Sequence, residues 1–592
     1  MKAQPWKKLR KWSANREILR WLVVGTLGAV EGIYGRTQYL ADWISYLNVS
    51  RAVSALEWKD VFNSMWSPGY PLLVALMRRS FPQTPEGEWY AITFLNWLIY
   101  LSAYASWRYL IRSAIEFYKP AAVGLRNRPF VVVTTDCIFL SCALGLNQVS
   151  SVSPDLLVCT LFVLAAAQTL SLLIQPTVSR SVILGAVLGA GCWVKGVFLA
   201  FTLIFLFTIF LVYHRKRIPW KTLWIVTAMY LLIYVPFVAG LSWSYGQFTL
   251  GTTGSLNYAF HVNHLPHWTN WQGGPSEFGT PIHPTRQLLQ GLPIFEFGAP
   301  FHTTYPPYNN LAYWYQGFHH FYSLKLQLAA WGRTLYFLAA IVKANPFLYF
   351  LALAWVIVLV KRAWRISMWD KVRRLWLLFL PCLLGLATYL MVHVEDRYLS
   401  PFALILGLVP LLPLLDPTLK GRRKLAGLLL PIYILGAAGE LKAIDGPTFK
   451  AAVDRRDFHQ DKQWRIAAAL PFMGIRSGDP VAVIHGKDLS YRCHWAYIAH
   501  VRIVAEFGAL PWTLEPWDRT HFDHSGGELA DEDYGVLFWQ KLSRQQRQEV
   551  IELFRETGAR AIIALSKPNA APETGWQPIP GTDAMIYRFD SR

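Results

Sequence analysis

Apolar segments of membrane-spanning length recur along this chain, and short runs of Lys and Arg separate them. A helical span needs roughly 20 mostly apolar residues, and basic residues stay on the cytoplasmic side. Placing each basic run inside predicts about eleven spans, an N-terminus in the cytoplasm and a C-terminus outside. The predicted spans cover residues 18–35, 88–110, 129–146, 155–175, 181–194, 196–213, 222–242, 338–360, 375–393, 399–415 and 425–441.

The composition agrees with an α-helical, polytopic membrane protein. Of the 592 residues, 53% are hydrophobic and 16% are charged, whereas soluble domains carry about a quarter charged residues. The net charge of +20 comes from basic runs beside apolar segments, where Lys and Arg set orientation and meet anionic headgroups. No groove-reading motif accompanies this charge, so we expect no nucleic-acid partner. The six Cys show neither metal-type spacing nor a disulfide pattern.

Three regions are predicted to lie on the outer face, namely residues 36–87, residues 243–332 and everything after about residue 442. The sequence therefore predicts two domains, a transmembrane domain at 1–441 and a small extracytoplasmic α/β domain at 442–592. The elements expected in the second domain are strands at 480–485 and 560–565 and helices at 495–504 and 544–557.

Asp42 is the most informative single residue. It lies in the first predicted outer loop, in the stretch Ala41-Asp42-Trp43-Ile44-Ser45-Tyr46-Leu47, and the polar and aromatic stretch 63–71 follows at the same surface. A carboxylate at a membrane surface is costly unless it is solvated or used. Two interpretations stay open: Asp42 takes part in chemistry, or it caps a helix that begins at Trp43.

Two cations and a second acid also lie at predicted membrane edges. Lys195 stands between two apolar stretches, so it must reach a bound anion or, as a snorkelling residue, the headgroup layer. Arg397 can hold two phosphate oxygens at once, or it can pair with a neighbouring acid. Asp155 follows Ser153-Pro154 at the start of a predicted span. N-capping is the favoured role for it, with an acceptor contact or a metal contact as alternatives.

The order of these motifs resembles the GT-C membrane glycosyltransferases, in particular the bacterial relatives of the protein O-mannosyltransferases and of the lipid A aminoarabinose transferases. The resemblance covers about residues 18–415. It departs from the protein mannosyltransferases at Trp43, where those enzymes carry a second acid. The matching residues are the pair Asp42 and Tyr46, Trp66-Ser67-Pro68-Gly69-Tyr70-Pro71, the segment 185–196 with Leu188-Gly189-Ala190 ahead of Lys195-Gly196, and Glu395-Asp396-Arg397-Tyr398-Leu399-Ser400-Pro401.

The resemblance implies an inverting enzyme that moves a sugar from a polyprenyl-phosphate donor to a glycan, lipid or protein acceptor. The reaction would take place on the outer face of a bacterial inner membrane, in the cell envelope. The resemblance implies Asp42 as the catalytic base and Lys195 and Arg397 as ligands of the donor phosphate. It assigns no metal ligand, although a divalent cation is compatible with this chemistry. The residues assigned to substrate contacts are Tyr46, Asp155, Glu395 and Tyr398.

The long predicted outer loop, residues 243–332, is rich in aromatic and His residues. Among them, His261, His264 and His267 could be metal ligands, but Leu265-Pro266 interrupts any helix there, which disfavours their convergence. Rings stack on the apolar faces of sugars, so a sugar-binding wall and an interfacial aromatic belt both stay open. The rings concerned are Tyr258, Phe260, Trp268, Trp271, Tyr305, Tyr308, Tyr313, Trp314 and Tyr315.

Two alternative functions stay open, namely a polytopic transporter or lipid flippase and a non-catalytic scaffold of an envelope assembly. Transporters and flippases usually carry internal repeats or ionisable residues at mid-span. This sequence has no evident repeat, and Glu31 is its main mid-span charge. An enzyme would require Asp42, Lys195 and Arg397 to meet in one outer cavity, whereas a transporter would require a pathway through the membrane midplane.

Overall fold

The computed structural model describes most of the chain and divides it into two compact units. The first, called the helical unit, comprises Met1–Gln38, Ser67–Phe248 and Gln327–Arg456, and the second, called the sheet unit, comprises Tyr39–Trp66, Thr249–Leu326 and Asp457–Arg592. The described residues are 4–35, 42–118, 129–215, 218–266, 269–416, 418–443, 461–485, 492–508, 539–566 and 575–589, with a few single residues between them.

Helices account for most of the described residues. They are α1 (Gln4–Tyr34), α2 (Asp42–Ala55), α3 (Trp58–Val61), α4 (Gly69–Arg78), α5 (Pro85–Tyr118), α6 (Pro129–Leu140), α7 (Asp155–Ile174), α8 (Val178–Val194), α9 (Phe198–His214), α10 (Trp220–Tyr245), α11 (Thr253–Tyr258), α12 (Pro306–Asn309), α13 (Leu311–Trp314), α14 (Leu324–Ala344), α15 (Pro346–Val360), α16 (Arg362–Arg374), α17 (Trp376–Leu390), α18 (Asp396–Gly407), α19 (Arg422–Ala443), α20 (Lys462–Ala469), α21 (His494–Ile498) and α22 (Arg544–Glu556).

The membrane-spanning helices belong to the helical unit. Within the described ranges, five helical segments are long and apolar enough to cross a membrane, and two bent helix pairs raise the number to at most seven. In addition, α8 and α9 are shorter apolar helices. The predicted count of eleven spans is therefore not confirmed. The five segments are Pro129–Leu146, Asp155–Ile174, Trp220–Tyr245, Asp396–Leu415 and Arg422–Ala443.

The span predicted at 338–360 is not one straight helix, because the chain bends by 97° between α14 and α15. Pro346 opens α15, and a proline disfavours helical backbone in the residue before it. The side chain of that residue, Asn345, accepts a backbone N–H in the first turn of α15. Buried Glu440 of α19 accepts hydrogen bonds from Asn345 Nδ2 at 2.7 Å and from the Phe347 N–H at 3.2 Å. The donors released by the break are thus satisfied.

The break predicted at Lys195 is confirmed, since α8 ends at Val194 and α9 begins at Phe198. Two glycines of the motif before Lys195 lie where α8 packs on α10. A Cβ on Gly185 would lie 2.4 Å from the Val226 carbonyl oxygen, and one on Gly189 would lie 2.7 Å from Ile233 Cβ. Small residues of this kind let two membrane helices approach closely, which fixes the position of the α8 terminus.

Among the described residues, a seven-stranded sheet forms the centre of the sheet unit, with strand order β1-β2-β4-β3-β5-β7-β6. Its middle strands β3, β4 and β5 are parallel, and the outer pairs are antiparallel. The strands and helix predicted at 480–485, 560–565 and 544–557 are confirmed as β3, β5 and α22. The strands are β1 (Arg286–Gln287), β2 (Ile294–Glu296), β3 (Pro480–Ile484), β4 (Arg502–Phe507), β5 (Ala561–Ala564), β6 (Trp576–Pro578) and β7 (Met585–Arg588).

The helix predicted at 495–504 is wrong beyond residue 498. His500 adopts a φ of +58°, a left-handed conformation that ends a helix, and the next residues form β4. The short apolar run 503–505 fits either structure, and periodicity alone does not separate a buried strand from a buried helix.

The long loop contributes strands to the same sheet as the C-terminal region. In register, Phe295 of β2 pairs with Glu506 of β4, which supplies partners for backbone groups that an edge strand would leave unpaired. Glu506 is buried and accepts hydrogen bonds from Tyr305 Oη at 2.9 Å and from Asn270 Nδ2. The boundaries of the two compact units therefore differ from those of the predicted domains 1–441 and 442–592.

Candidate active site

Three charged residues that the sequence singles out meet at the ends of helices in the helical unit. Asp155 is the first residue of α7, Lys195 follows the last residue of α8, and Arg397 lies in the first turn of α18. Lys195 Nζ donates to Asp155 Oδ1 at 2.5 Å, and Arg397 Nε lies 3.5 Å from Asp155 Oδ2. The two cations therefore share one buried carboxylate, whose side chain is 4% exposed.

Glu395 and Tyr398 complete this charged cluster. Arg397 Nε lies 2.7 Å from Glu395 Oε2, and His393 Nε2 lies 3.3 Å from Glu395 Oε1. Lys195 Nζ lies over the Tyr398 ring, 4.3 Å from its centroid, where the face of the ring attracts a cation. Five of the seven predicted site residues thus lie in one cluster. Arg397 makes the predicted ion pair with a neighbouring acid, Glu395, in addition to its contact with Asp155.

The ionisation of Glu395 is controlled by its neighbours. Burial by itself would raise the pKa of this carboxyl group. The charge of Arg397, together with the hydrogen bond and charge of His393, instead holds the pKa of Glu395 well below its usual range. Glu395 consequently contributes a carboxylate to the cluster at neutral pH.

The N-capping role favoured for Asp155 is wrong. The N-cap residue of α7 is Pro154, which makes no side-chain cap, and the Asp155 carboxylate points to Lys195 and Arg397 instead. Ser153 Oγ donates to Asp155 Oδ2 at 2.5 Å and accepts from the Asp155 N–H at 3.1 Å. Ser153 thereby fixes the carboxylate that holds both cations.

Aromatic packing holds the helices that carry the charged cluster. Phe162 of α7 packs on Phe201 of α9 at 5.1 Å and on Phe402 of α18 at 5.3 Å between ring centroids. Tyr389 of α17 stacks on Tyr398 at 4.7 Å. Buried rings such as these add stabilisation beyond their buried area. The rings fix the separation of α7, α9 and α18, and so the separation of their charged ends.

Gly69, in the motif at 66–71, packs against the backbone that precedes Lys195 of the charged cluster. A Cβ on Gly69, the first residue of α4, would lie 2.7 Å from the Trp193 carbonyl oxygen and 2.9 Å from the Val194 nitrogen. Only glycine allows this approach to the turn before Lys195. The next residue, Tyr70, donates from its buried hydroxyl to Asn96 Oδ1 at 2.9 Å.

Asp42 and Tyr46 belong to the sheet unit. Asp42 is the first residue of α2, and its Oδ1 accepts a hydrogen bond of 2.9 Å from Tyr308 Oη. The Tyr308 carbonyl in turn accepts from Trp66 Nε1 at 3.2 Å. Tyr46 is buried and meets the Trp66 ring edge-on at 5.4 Å. The acid at residue 42 is therefore oriented by a tyrosine of the long loop.

Other aromatic residues of that loop pack inside the sheet unit. Five of them are buried, and the ring of Trp271 stacks on that of Tyr315 at 5.2 Å. For these five rings, both the sugar-binding wall and the interfacial belt are wrong, because they pack inside the sheet unit. Trp268 lies outside the described residues, and the five buried rings are Phe260, Trp271, Tyr305, Trp314 and Tyr315.

No metal centre is evident in the part of the chain that the structure describes. There, no group of three or more His, Cys, Asp and Glu residues is arranged to hold a metal ion. His267, the last of the three loop histidines, lies outside the described residues.

Several contributors to the site carried no signal that sequence reasoning used. His393 contacts Glu395, and Tyr389 stacks on Tyr398. Tyr308 donates a hydrogen bond to Asp42. The spacing of His393 and Glu395 could have indicated their contact, because residues two apart on an extended segment face the same side. No comparable signal links Tyr308 to Asp42, since their contact depends on the fold of the sheet unit.

The fold is similar to those of two solved enzymes. ArnT from Cupriavidus metallidurans bound to undecaprenyl phosphate matches with a TM-score of 0.52 and 12% identity, over 97% of this chain and 98% of that one. The Archaeoglobus fulgidus oligosaccharyltransferase in complex with Zn and sulfate matches with a TM-score of 0.50 and 12% identity, over 92% of this chain and 67% of that one. No family model matches the sequence, and no curated protein matches it.

These similarities define the class of fold. Both neighbours are GT-C glycosyltransferases, and the resemblance inferred from the sequence motifs is confirmed at the level of the fold. The apolar helices and this fold together indicate an integral membrane protein.

Proposed function

We propose that this protein transfers a sugar from a polyprenyl-phosphate donor to an acceptor on the extracytoplasmic face of a bacterial inner membrane. The observation that carries the proposal is the placement of Lys195 and Arg397 on one buried carboxylate, at the ends of helices in a GT-C fold. An anionic phosphate at such a place meets an ammonium group and a planar guanidinium, which can bind two oxygens together.

The proposed reaction is a single displacement at the anomeric carbon. The bond between this carbon and the donor phosphate oxygen breaks, and a bond to the acceptor hydroxyl or amine forms on the opposite face, with inversion. The polyprenyl phosphate leaves with the bonding electron pair. Lys195 and Arg397 stabilise the negative charge that develops on the leaving phosphate.

Asp42 is the proposed general base. A hydroxyl or amine acceptor is a weak nucleophile until it loses its proton, and Asp42 takes that proton as the new bond forms. The hydrogen bond from Tyr308 Oη orients the carboxylate. Tyr46, Asp155, Glu395 and Tyr398 are proposed to contact substrate or the groups that hold it.

The GT-C fold favours this enzyme over the transporter or flippase that the sequence left open. A divalent cation is a compatible additional ligand of the donor phosphate, and the loss of transfer in EDTA followed by recovery with Mg²⁺ or Mn²⁺ would reveal it. The acceptor remains a glycan, a lipid or a protein in this proposal.

The test measures the binding of undecaprenyl phosphate to the full-length protein in detergent. We expect Lys195→Ala and Arg397→Ala each to weaken binding about tenfold or more, the cost of a lost charged hydrogen bond. Arg397→Lys should recover only part of the loss, because a point charge does not reproduce a planar fork.

Two further variants serve as controls. Lys343→Ala removes an exposed Lys of α14 in the same unit and should bind as the wild type does. Lys195→Ala combined with Asp155→Asn removes a cation and an anion together, which avoids an unpaired buried charge, and should still bind weakly. Wild-type affinity in this pair and in Arg397→Ala would overturn the proposal.

A further inference from the structure

Glu31, near the end of α1, is a buried acid that the proposed reaction does not use. It is 3% exposed, and a carboxylate in such a place is costly unless hydrogen bonds compensate for the lost water. Its Oε2 accepts from the backbone N–H groups of Val149 at 2.5 Å and of Ser150 at 3.1 Å. Its Oε1 accepts from Ser150 Oγ at 2.6 Å. One side chain thus holds three donors from a single short loop.

This loop, residues 147–154, leads directly to the charged cluster. It is buried for most of its length without being helix or strand, so its backbone groups need partners from elsewhere. Gln148 adopts a φ of +61°, a strained conformation for a residue with a side chain. Asn96 Nδ2 donates to the carbonyls of Val149 and Ser151, both at 2.9 Å. Glu31 therefore accepts hydrogen bonds from N–H groups of the loop, and Asn96 donates hydrogen bonds to carbonyls of the loop.

The far end of the loop carries the carboxylate that holds both cations. The Ser153 N–H donates to the Ser151 carbonyl at 3.0 Å, and Ser153 Oγ then fixes Asp155. A continuous series of hydrogen bonds therefore runs from Glu31 to Lys195.

We propose that Glu31 is a positioning residue for the donor-phosphate site, because it fixes the loop that aims Asp155 at Lys195 and Arg397. The inference rests on the proposed function. Glu31 itself touches neither the donor nor the acceptor in this role.

The pattern of hydrogen bonds predicts which substitutions the site tolerates. Glu31→Gln keeps one acceptor oxygen for the two backbone N–H groups, and its amide can donate to Ser150 Oγ, because a hydroxyl both donates and accepts. Glu31→Ala leaves all three donors without a partner. Glu31→Asp has the charge but is one methylene shorter, so its carboxylate does not reach the loop.

The experiment measures undecaprenyl phosphate binding and thermal unfolding for full-length protein in detergent. We expect Glu31→Ala and Glu31→Asp to weaken binding about tenfold, whereas Glu31→Gln stays within about twofold of the wild type. Rescue by the neutral amide would show that hydrogen-bond acceptance, rather than charge, is what the site needs from this residue.

A double-mutant cycle separates positioning from a general loss of stability. If Glu31 acts through Asp155, Glu31→Ala should weaken binding far less in an Asp155→Ala background than in the wild type. Asp136→Asn is the matched control, because Asp136 accepts from Arg20 of α1 at 2.7 Å and 2.8 Å away from the loop. It should lower the unfolding midpoint without changing the affinity for undecaprenyl phosphate.

The outcomes distinguish the two proposals. If Asp155→Ala weakens binding but Glu31→Ala does not, or if the two effects add in full, the role of Glu31 is refuted while the donor site stands. If neither Asp155→Ala nor Lys195→Ala changes binding, the proposed function itself fails.

Discussion

At the scale of single residues, Asp155 links the parts of the donor site more than either cation does. One of its oxygens contacts Lys195 and the other contacts Arg397, so its loss would separate the two cations from their shared partner. Because the side chain is almost fully buried, removing it would leave Lys195 without this carboxylate and Arg397 with Glu395, the costly way to break a buried ion pair. A carboxylate, rather than a phosphate, therefore keeps the two cations in place when no donor is bound.

The role of Asp42 gives the first prediction. Asp42→Asn retains the size of the side chain and an oxygen that can accept from Tyr308, but it removes the proton acceptor. Transfer should fall by about 10²–10⁴-fold, the usual contribution of a positioned acid or base, while the affinity for undecaprenyl phosphate stays unchanged. Transfer is measured in membranes with a radiolabelled polyprenyl-phosphate sugar. Tyr308→Phe, which removes the orienting hydrogen bond, should cost less. Wild-type transfer in Asp42→Asn would show that Asp42 is a structural residue.

The pKa of Glu395 gives the second prediction. A carboxyl group with a lowered folded-state pKa stabilises the protein above its unfolded pKa, about 4.3 for Glu. That stabilisation is lost as the pH falls through the lower folded value. The unfolding midpoint of the wild type should therefore exceed that of Glu395→Gln above about pH 5, and the gap should narrow as the pH falls below about 4.

The control for this pH series is Glu116→Gln, because Glu116 has a more exposed side chain and pairs with Arg112 on the surface of α5. Its midpoint should stay close to that of the wild type throughout, as expected for an exposed ion pair. A gap for Glu395→Gln that widens as the pH falls would contradict the direction of the shift.

At the scale of elements, the charged cluster depends on where helices stop. Asp155, Lys195 and Arg397 all lie at helix ends, and the side chains that hold them there come from neighbouring helices. The negative Asp155 lies at the N-terminus of α7 and the positive Lys195 at the C-terminus of α8, so each charge also has the sign that the helix dipole favours.

Gly69 gives the prediction at this scale. Gly69→Ala would push a methyl group into the backbone of Trp193 and Val194, and backbone atoms cannot move aside as a flexible side chain can. We expect the end of α8 to shift, which moves Lys195 and weakens undecaprenyl phosphate binding several-fold, with a destabilisation of about 1–3 kcal/mol from overpacking. Binding and thermal unfolding in detergent check both effects. Gly332→Ala, at a helical glycine with open space around it, is the matched control and should change neither.

The sequence predicts which charged residues lie at the ends of these helices better than it predicts which residues they contact. Lys195 and Arg397 stand out because a charge next to an apolar segment has few acceptable environments. Their shared contact with Asp155 depends on the packing of α7, α8 and α18, which the order of apolar segments does not encode. The bend at Asn345 was missed because hydropathy continues unchanged through it, although the Asn-Pro pair was a local signal.

In the sheet unit, some strands were predicted from the sequence and others were missed. The strands β3 and β5 were predicted because buried parallel strands form continuous apolar runs. The strands β1 and β2 were missed because they are only two and three residues long and depend on a partner far along the chain.

At the scale of the whole molecule, the sheet unit is assembled from separate parts of the sequence. Removal of residues after 442 would take away β4 and Glu506, which hold β2, Tyr305 and Asn270 of the long loop. We therefore expect this truncation to make residues 249–326 sensitive to protease, while the residues of the charged cluster are all retained and undecaprenyl phosphate still binds.

Limited proteolysis with mass-spectrometric mapping of the cleavage sites checks the first outcome, and the donor-lipid binding assay checks the second. Protection of residues 249–326 in the truncated protein would show that the long loop folds without the C-terminal strands. Loss of donor binding in a truncated protein that inserts normally would contradict the independence of the charged cluster.

The pairing of β2 with β4 also constrains the order in which the sheet can form during synthesis of the chain. Ribosomes make the chain from its N-terminus, so β2 leaves the ribosome long before β4, and the helices α14 to α19 are made between them. Contacts between such distant segments form slowly, and an apolar strand that waits for its partner is prone to aggregate. The sheet can close only after α19 has been synthesised and the C-terminal strands have followed it, so β2 must stay unpaired with β4 while all the helices between them are made.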